Sequence, residues 1–509
     1  MIPSSSDLVF VVLLLGLCTG PLSASLLGDG GTGWHIRTGQ WILQQHAIPR
    51  VDVFSTTMRG KPWYAWEWLY DLLVGALHGW AGLNGVILFT AFVIGLTFAW
   101  TLRRMRAHGV HLPLAVVFLL LALCASTVHF LARPHVVSWL FTLVWFDSLE
   151  KFEADGRTRT LLWLLPLTVV WVNVHGGFLV GLLLVAIYLG SDGLRVVLPG
   201  AEPIRTRARA RTRVLAMLAV AAGILSLLNP YGYRLYIHID QYLSDHFLMH
   251  HIDEFRGPDF HTVAQLCFAG LILAAVATMA AARARLPLRH WMLLLFAIAS
   301  GLEAVRNIPV SSLLIVLIAA PLFSEALRER VKNRQAAGAG ACLHRLDAFG
   351  SRMTRLDESF QGHLWPGLVT LALVVLVLAG GAVGRSLAMS ARFEEHRFPV
   401  RAVDFLVRDF DSRPVFTLDR WGGYVIYRFY PKTVTAVDDR HDLYRTQFLK
   451  EYLRIVRGEE GWDASLRRLD PGWVLVPPDL PLAKLLRQSA GWKTIYRDQT
   501  ADLFRRELR

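Results

Sequence analysis

Eleven apolar runs, near 8–27, 83–102, 112–131, 135–150, 161–175, 176–191, 213–228, 262–282, 291–304, 308–325 and 364–386, constrain this chain more than any other feature. About 20 residues at 1.5 Å rise cross a hydrocarbon core roughly 30 Å thick, so such runs read as membrane-spanning helices. Inside the core every backbone polar group must be satisfied within the segment, which favours helices over any open sheet. The composition agrees: 54% of residues are hydrophobic and 18% charged, where soluble chains average about 25% charged. The expected fold is an α-helical polytopic membrane protein of about eleven transmembrane helices over residues 1–390, followed by a soluble α/β domain over 391–509. The 161–191 stretch is interrupted by Asn173-Val174-His175-Gly176-Gly177, read as a tight turn between two spans, with one kinked helix as the alternative.

Cytoplasmic loops retain Lys and Arg, so their placement orients the chain. Arg103, Arg104 and Arg106 fall on one face, as do Lys151, Arg157 and Arg159, then Arg205, Arg207, Arg209, Arg211 and Arg213, then Arg283, Arg285 and Arg289. Arg328, Arg330, Lys332, Arg334, Arg345, Arg352 and Arg355 follow on the same side. That face is expected to be cytoplasmic, with the N-terminus inside and the C-terminal domain outside. The net charge of +13 then reports topology and anionic lipid contact. A nucleic-acid site in the 205–213 arginine run is set aside, because no aromatic residues interleave with it. The first run reads as an uncleaved span rather than a secretory signal, since Met1 to Asp7 carries no Lys or Arg. Cys18, Cys124, Cys267 and Cys342 show no disulfide or zinc spacing.

The first outer loop, 28–82, holds more polar chemistry than a connector needs. Trp34 to His46 reads as an amphipathic helix in the interface plane, with Arg37 and Gln44 wet. Arg50 to Ser55 reads as an extended turn containing Asp52, and Trp63 to Trp80 as a second interfacial helix with Glu67 and Asp71 on one face. His129, Arg133, His135, His175, Arg306 and Asn307 recur at later outer turns. Ionisable groups at the membrane boundary are costly and persist mostly where they face a polar cavity, so the set is a candidate site. The 229–261 loop adds Arg234, His246, His250, Asp253 and Glu254. His246 and His250 have zinc-protease spacing, but Phe247 stands where that motif places its Glu. In the C-terminal domain, Pro414 to Thr417, Gly423 to Tyr427, Thr433 to Val437, Trp473 to Val476, Trp492 to Tyr496 and Ala501 to Phe504 are the expected strands. Asp419 to Tyr424 and Asp438 to Tyr444 form polar focal points at strand ends, where α/β sheets commonly place ligands.

With Gly33 to Gly39, Asp52 to Ser55, Trp66 to Leu69, Arg133-Pro134-His135, Asn173 to Gly177, Asn229 to Gly232, Arg306 to Pro309 and Trp421 to Tyr424, the chain resembles the GT-C superfamily of membrane glycosyltransferases. Its nearest likeness is to uncharacterised bacterial members. Trp421 to Tyr424 is also faintly similar to the Trp-Trp-Asp-Tyr-Gly signature of oligosaccharyltransferases, although Gly423 occupies the acidic position. The resemblance implies a bacterial inner-membrane enzyme that moves a sugar from a polyprenyl-phosphate carrier to an extracytoplasmic glycan, lipid or protein. It implies catalytic roles among Asp52, Glu67, Asp29 and His35, with Asp52 favoured because family members show a second acid where this chain has Gly31. It implies substrate and phosphate contacts from Arg133, His135, His175, Arg234, Arg306, Trp421 and Tyr424. A divalent cation, magnesium or manganese, stays open, because some GT-C families are metal-free. A transporter or flippase, or a non-catalytic assembly factor, would share the architecture. Transporters usually show internal repeats and mid-span polar residues, and neither is visible here.

Overall fold

The computed structural model describes residues 2–19, 22–199, 201–281, 286–333, 339–360, 362–383 and 386–507. Arg283, Arg285 and Arg334 of the expected cytoplasmic set lie outside them. Every apolar run coincides with a helix: Ser5–Thr19, Trp68–Ala107, Leu112–Ser126, His135–Asp155, Leu164–Val174, Phe178–Val197, Glu202–Leu225, Val263–Ala281, Leu288–Glu303, Ile308–Asn333 and Trp365–Leu378. Among the described residues, five helices are long and apolar enough to cross a membrane by length and composition. The 161–191 run breaks as a turn, not a kink: one helix ends at Val174, His175 is extended, and the next helix starts at Phe178. Leu120, Leu266, Leu273, Leu368, Leu371 and Val375 stay exposed along their helices, an arrangement suited to lipid. Arg205 to Arg213 belong to the Glu202–Leu225 helix rather than to a loop.

The first outer loop departs from the expected interfacial arrangement. Its helix, Gly31–Gln45, is buried along most of its length between the Trp68–Ala107 helix and the soluble domain. Glycines make this possible. A Cβ at Gly33 would stand 2.3 Å from the carbonyl oxygen of Gly423, and one at Gly39 would stand 1.8 Å from that of Asp71. Small residues on two faces let two neighbours approach the backbone, and an apolar-against-polar reading does not register them. Arg37, expected to be wet, donates from Nε to the Tyr427 carbonyl at 2.8 Å. The second helix begins at Trp68 and bends at Ala81 and Gly82 into a membrane span, Gly82 taking a left-handed φ of 59°. This leaves Glu67 at the N-terminal boundary of the helix and Asp71 one turn inside it.

After a short ribbon, β1 (Ala382–Val383) with β2 (Ser386–Leu387), the soluble domain builds a four-stranded sheet from β3 (Val415–Thr417), β4 (Trp473–Val476), β5 (Trp492–Arg497) and β6 (Asp502–Arg506). Its order is β3-β4-β6-β5, with β3 and β4 parallel and the other pairs antiparallel. Gly423 to Tyr427, expected as a strand, is part of the Asp419–Phe429 helix. That helix is buried from Trp421 to Ile426, because it is enclosed on several sides, and an enclosed run shows neither helical nor strand periodicity. Thr433 to Val437 is not a full strand either. Thr435 alone bridges Val415 on one side and Ser55 on the other, so the outer loop extends the edge of the sheet.

A buried ion network locks that junction. Arg440 binds Asp438 through Nε and Nη2 at 2.8 and 2.7 Å, while its Nη1 lies 2.7 Å from Asp52 Oδ1. Ser55 donates to Asp52 from its backbone nitrogen and its hydroxyl at 3.0 and 2.6 Å, and Tyr444 donates to Asp438 at 2.9 Å. The Arg440 guanidinium also covers the Trp63 ring at 4.6 Å. Burial opposes the Asp52 charge, but Arg440 and Ser55 outweigh it and hold the carboxyl below its usual range. Removing one partner of a buried pair leaves the other charge uncompensated, a loss of about 3–5 kcal/mol. Asp52→Asn should therefore lower the thermal midpoint of the purified protein markedly. Because the folded carboxyl is the stronger acid, the stability Asp52 contributes should be fully present above pH 4 and lost as pH falls further. An unchanged midpoint, measured by intrinsic fluorescence in detergent, would exclude this role.

Candidate active site

The ends of the apolar helices and the soluble domain enclose a cavity of about 920 Å³. Its membrane-side wall carries Asp29, Glu67, Asp71, His129, Arg133, Glu254 and Arg306, and its soluble-domain wall carries Asp419, Arg420, Trp421, Asp439, Arg440, His441 and Asp442. Chain order explains the convergence. Asp29 follows the first helix, Glu67 precedes the second, Arg133 precedes the His135–Asp155 helix, and Arg306 precedes the Ile308–Asn333 helix, so all stand at one end of the bundle.

Arg133 and Arg306 form the cationic floor. Arg133 Nη1 donates to Asp29 Oδ2 at 2.8 Å and lies 3.8 Å from Glu254 Oε2. Arg306 Nη1 donates to Glu254 Oε1 at 3.1 Å, and its guanidinium covers the Phe255 ring at 4.4 Å. His129 Nε2 is 3.5 Å from Glu254. Burial would raise the Glu254 carboxyl, but Arg306, His129 and Arg133 hold it well below the usual carboxylate range.

Glu67 stands apart from these neutralised pairs. Among the described residues no arginine bonds it; two histidines flank it instead, His35 Nε2 at 3.8 Å from Oε2 and His175 Nε2 at 3.7 Å from Oε1. Burial pushes its carboxyl up to about 8, and Arg133 and Arg306 offset this only in part. His175 is fixed by a relay. Trp171 Nε1 donates to Ser138 Oγ at 2.7 Å, Ser138 contacts His175 Nδ1 at 2.8 Å, and the Gly177 backbone nitrogen donates to the same Nδ1 at 3.0 Å. An Nδ1 that accepts leaves the proton on Nε2, the nitrogen nearest Glu67. Burial, with Arg306 and Arg133, pushes the His175 imidazole down to about 3, so the ring is neutral. His35 is held from behind by Asp71, 2.6 Å from Nδ1.

On the opposite wall, His441 Nε2 bonds Asp419 Oδ2 at 3.0 Å, and Tyr452 donates to Asp419 Oδ1 at 3.0 Å. Burial lowers the His441 imidazole, yet Asp419 and Asp439 raise it above its ordinary value. Trp34 Nε1 donates to Asp439 at 2.9 Å, and burial together with Asp29 pushes the Asp439 carboxyl up to about 7.

Of the expected residues, Asp29, Glu67, Arg133, Arg306 and Trp421 line the cavity. His35 and His175 stand behind Glu67. Asp52 lies off the cavity in the ion network of the domain junction, the main departure from expectation. Arg234 is exposed at the start of its helix. His135 is buried, its Nε2 on the His129 carbonyl at 2.7 Å. Tyr424 packs against Phe393 and Phe398 and accepts from Arg428 at 2.8 Å. His246 and His250 are exposed. Glu254 and His441 belong to segments whose density of acids and histidines was legible, but nothing local separated them from their neighbours.

The acids do not gather as a cation site. Arg133 engages Asp29 and Glu254 together, Asp439 accepts from Trp34, and no group of three His, Cys, Asp or Glu able to hold a metal occurs among the described residues. A hard divalent cation takes six or more oxygen ligands, largely uncommitted carboxylates and carbonyls, so this donor set does not fit one.

No family model matches the chain, and no curated protein matches its sequence. Solved structures do match. The archaeal oligosaccharyltransferase AglB from Archaeoglobus fulgidus, in complex with an inhibitory peptide and a dolichol-phosphate, is similar over 98% of this chain and 73% of that one, at 11% identity and a TM-score of 0.55. The apo form of the Archaeoglobus fulgidus oligosaccharyltransferase is similar over 99% and 74%, at 10% identity and a TM-score of 0.51. A further structure of that enzyme, in complex with zinc and sulfate, matches at 10% identity, over 99% and 73%, with a TM-score of 0.51. At these identities the likeness is one of fold: this chain has a fold similar to that of the Archaeoglobus fulgidus oligosaccharyltransferase.

Proposed function

We propose that this protein transfers a sugar from a polyprenyl-phosphate carrier to an acceptor outside the membrane, and that Glu67 is the base. The observation that carries the reading is a cavity at the helix ends in which Glu67, flanked by His35 and His175 and not bonded to arginine among the described residues, shares the wall with Arg133 and Arg306. In this reading the acceptor hydroxyl or amide attacks the anomeric carbon, the bond from that carbon to the phosphate oxygen breaks, and Glu67 takes the acceptor proton. The departing polyprenyl phosphate gains negative charge, which Arg133 and Arg306 stabilise through charge-assisted hydrogen bonds. General-base efficiency is greatest when the pKa lies near the working pH, which burial achieves for Glu67. Asp29 and Glu254 orient the arginines. His175 and His35 fix the Glu67 side chain, and Asp71 orients His35. Trp421 and His441 face the cavity from the soluble domain, on the side left for the acceptor.

The same reading assigns the protein to a bacterial inner membrane, with the N-terminus in the cytoplasm and residues 391–509 on the far side. The complex of AglB with an inhibitory peptide and a dolichol-phosphate supports a lipid-linked donor for a chain of similar fold.

The test is sugar transfer by purified protein in lipid, using radiolabelled polyprenyl-phosphate sugars and a membrane extract as acceptor. Wild type should move label, with a rate that rises as pH passes through about 8. Glu67→Gln should lose at least about a hundredfold, the scale of general-base catalysis, while keeping its thermal midpoint. Full activity in Glu67→Gln would remove the base assignment, and no transfer from any donor by folded wild type would remove the enzyme reading.

The phosphate contacts have a separate signature. Arg306→Gln should reduce kcat/KM for the donor about tenfold to a hundredfold, since a hydrogen bond to a charged group contributes about 1.5–3 kcal/mol. Arg306→Lys should recover part of the loss by restoring charge without the planar fork. Wild-type donor kinetics in both variants would count against a phosphate at this arginine.

A further inference from the structure

A second cavity, of about 280 Å³, opens between the Phe178–Val197 and Glu202–Leu225 helices. It lies at the far end of the bundle. The Phe178–Val197 helix starts beside His175, and the lining residues Asp192 and Arg195 stand near its other end, about 21–26 Å along at the α-helical rise. Arg195, Arg207 and Arg211 line it together with Asp192. Two of these arginines are already matched: Arg195 Nη1 is 3.0 Å from Asp192 Oδ1, and Arg211 Nη1 is 3.1 Å from Glu153 Oε2. Arg207 forms no ion pair among the described residues. Glu153 is shared with Arg289 Nη1 at 3.4 Å, so Arg207 is the lining guanidinium that keeps an uncompensated positive charge among the described residues, the complement of a single phosphodiester.

The surroundings are apolar. Ile204 in the lining is exposed, and so are Leu194, Val197 and Leu198 at the end of the adjoining helix, Val197 to 80%. Water-facing helix ends seldom expose four large aliphatic side chains together beside a basic pocket. A lipid surface accounts for both features, because its headgroups bring anionic charge and its chains bring hydrocarbon to the same depth. We propose that this cavity binds the phosphodiester headgroup of an anionic membrane lipid, with Arg207 as the principal contact and the acyl chains lying over Leu194, Val197, Leu198 and Ile204. The site is separate from the cavity that holds Glu67, so it stands or falls independently of the transfer reaction.

The experiment uses the full-length protein in neutral detergent, titrated with phosphatidylglycerol, with phosphatidylcholine or with inorganic phosphate. Bound lipid is counted by native mass spectrometry and the thermal midpoint is followed in parallel. Wild type should retain one phosphatidylglycerol in preference to phosphatidylcholine, with a raised midpoint. Arg207→Gln should weaken that retention about tenfold, the equivalent of one charge-assisted hydrogen bond. Arg213→Gln, exposed on the same helix but outside the cavity, should retain the lipid as wild type does. Equal losses in the two variants, or equal retention of the two lipids, would overturn the site in favour of general attraction between basic helices and anionic lipid. Stabilisation by inorganic phosphate to the level reached with phosphatidylglycerol would overturn the lipid assignment in favour of a soluble anion.

Discussion

The contact on which the rest of the arrangement depends is the buried ion network of Asp52, Arg440 and Asp438. It ties the first outer loop to the soluble domain, and both walls of the larger cavity hang from it. Buried charges are expensive and survive only with near-complete satisfaction, here from Ser55, Tyr444 and the Trp63 ring. The network sits where Ser55 and Thr435 extend the edge of the sheet, so its geometry is set by backbone pairing on one side and by packed aromatics on the other. It adds to the direct contacts of the Gly31–Gln45 helix with the soluble domain, Arg37 on the Tyr427 carbonyl and Trp34 on Asp439.

The network also sorts its own segment. Asp438 and Arg440 pair in the junction, Arg440 also reaching the cavity wall, while Asp439 and His441 line the cavity. One short acidic and basic run therefore serves both the junction and the cavity. The glycines at Gly33 and Gly423 have a comparable effect on the backbone. They bring the outer-loop helix and the Asp419–Phe429 helix close enough for Trp34 to bond Asp439 across the interface. The Trp421 to Tyr424 motif is therefore explained first by packing, with Trp421 alone reaching the cavity.

Neutralisation distinguishes the carboxylates of the cavity from one another. Asp29 and Glu254 share Arg133, Asp419 is bonded by His441 and Tyr452, and Asp442 is bonded by His238 at 3.0 Å. Glu67 has imidazoles beside it, at distances longer than a hydrogen bond, and burial with this set of partners raises its carboxyl. Proton affinity is thus assigned by who stands next to each group, not by residue type.

Hydropathy by itself determined the eleven helical runs and the break at Asn173 to Gly177, because burying a helix in lipid requires an uninterrupted apolar sequence and leaves a local trace. The same local cost of ionisable groups at a membrane boundary made Arg133 and Arg306 visible with the acids of the first outer loop, while Asp29 came from the family resemblance. What only the tertiary structure decided was their roles. Asp52 and Glu67 look alike in sequence, two acids in one loop flanked by aromatics. One meets Arg440 from the far end of the chain and becomes a structural charge, while the other meets two histidines and keeps a free carboxyl. Long-range pairing of this kind leaves no periodic or local mark. Burial and partners together, and not the identity of a side chain, set what a carboxylate can do.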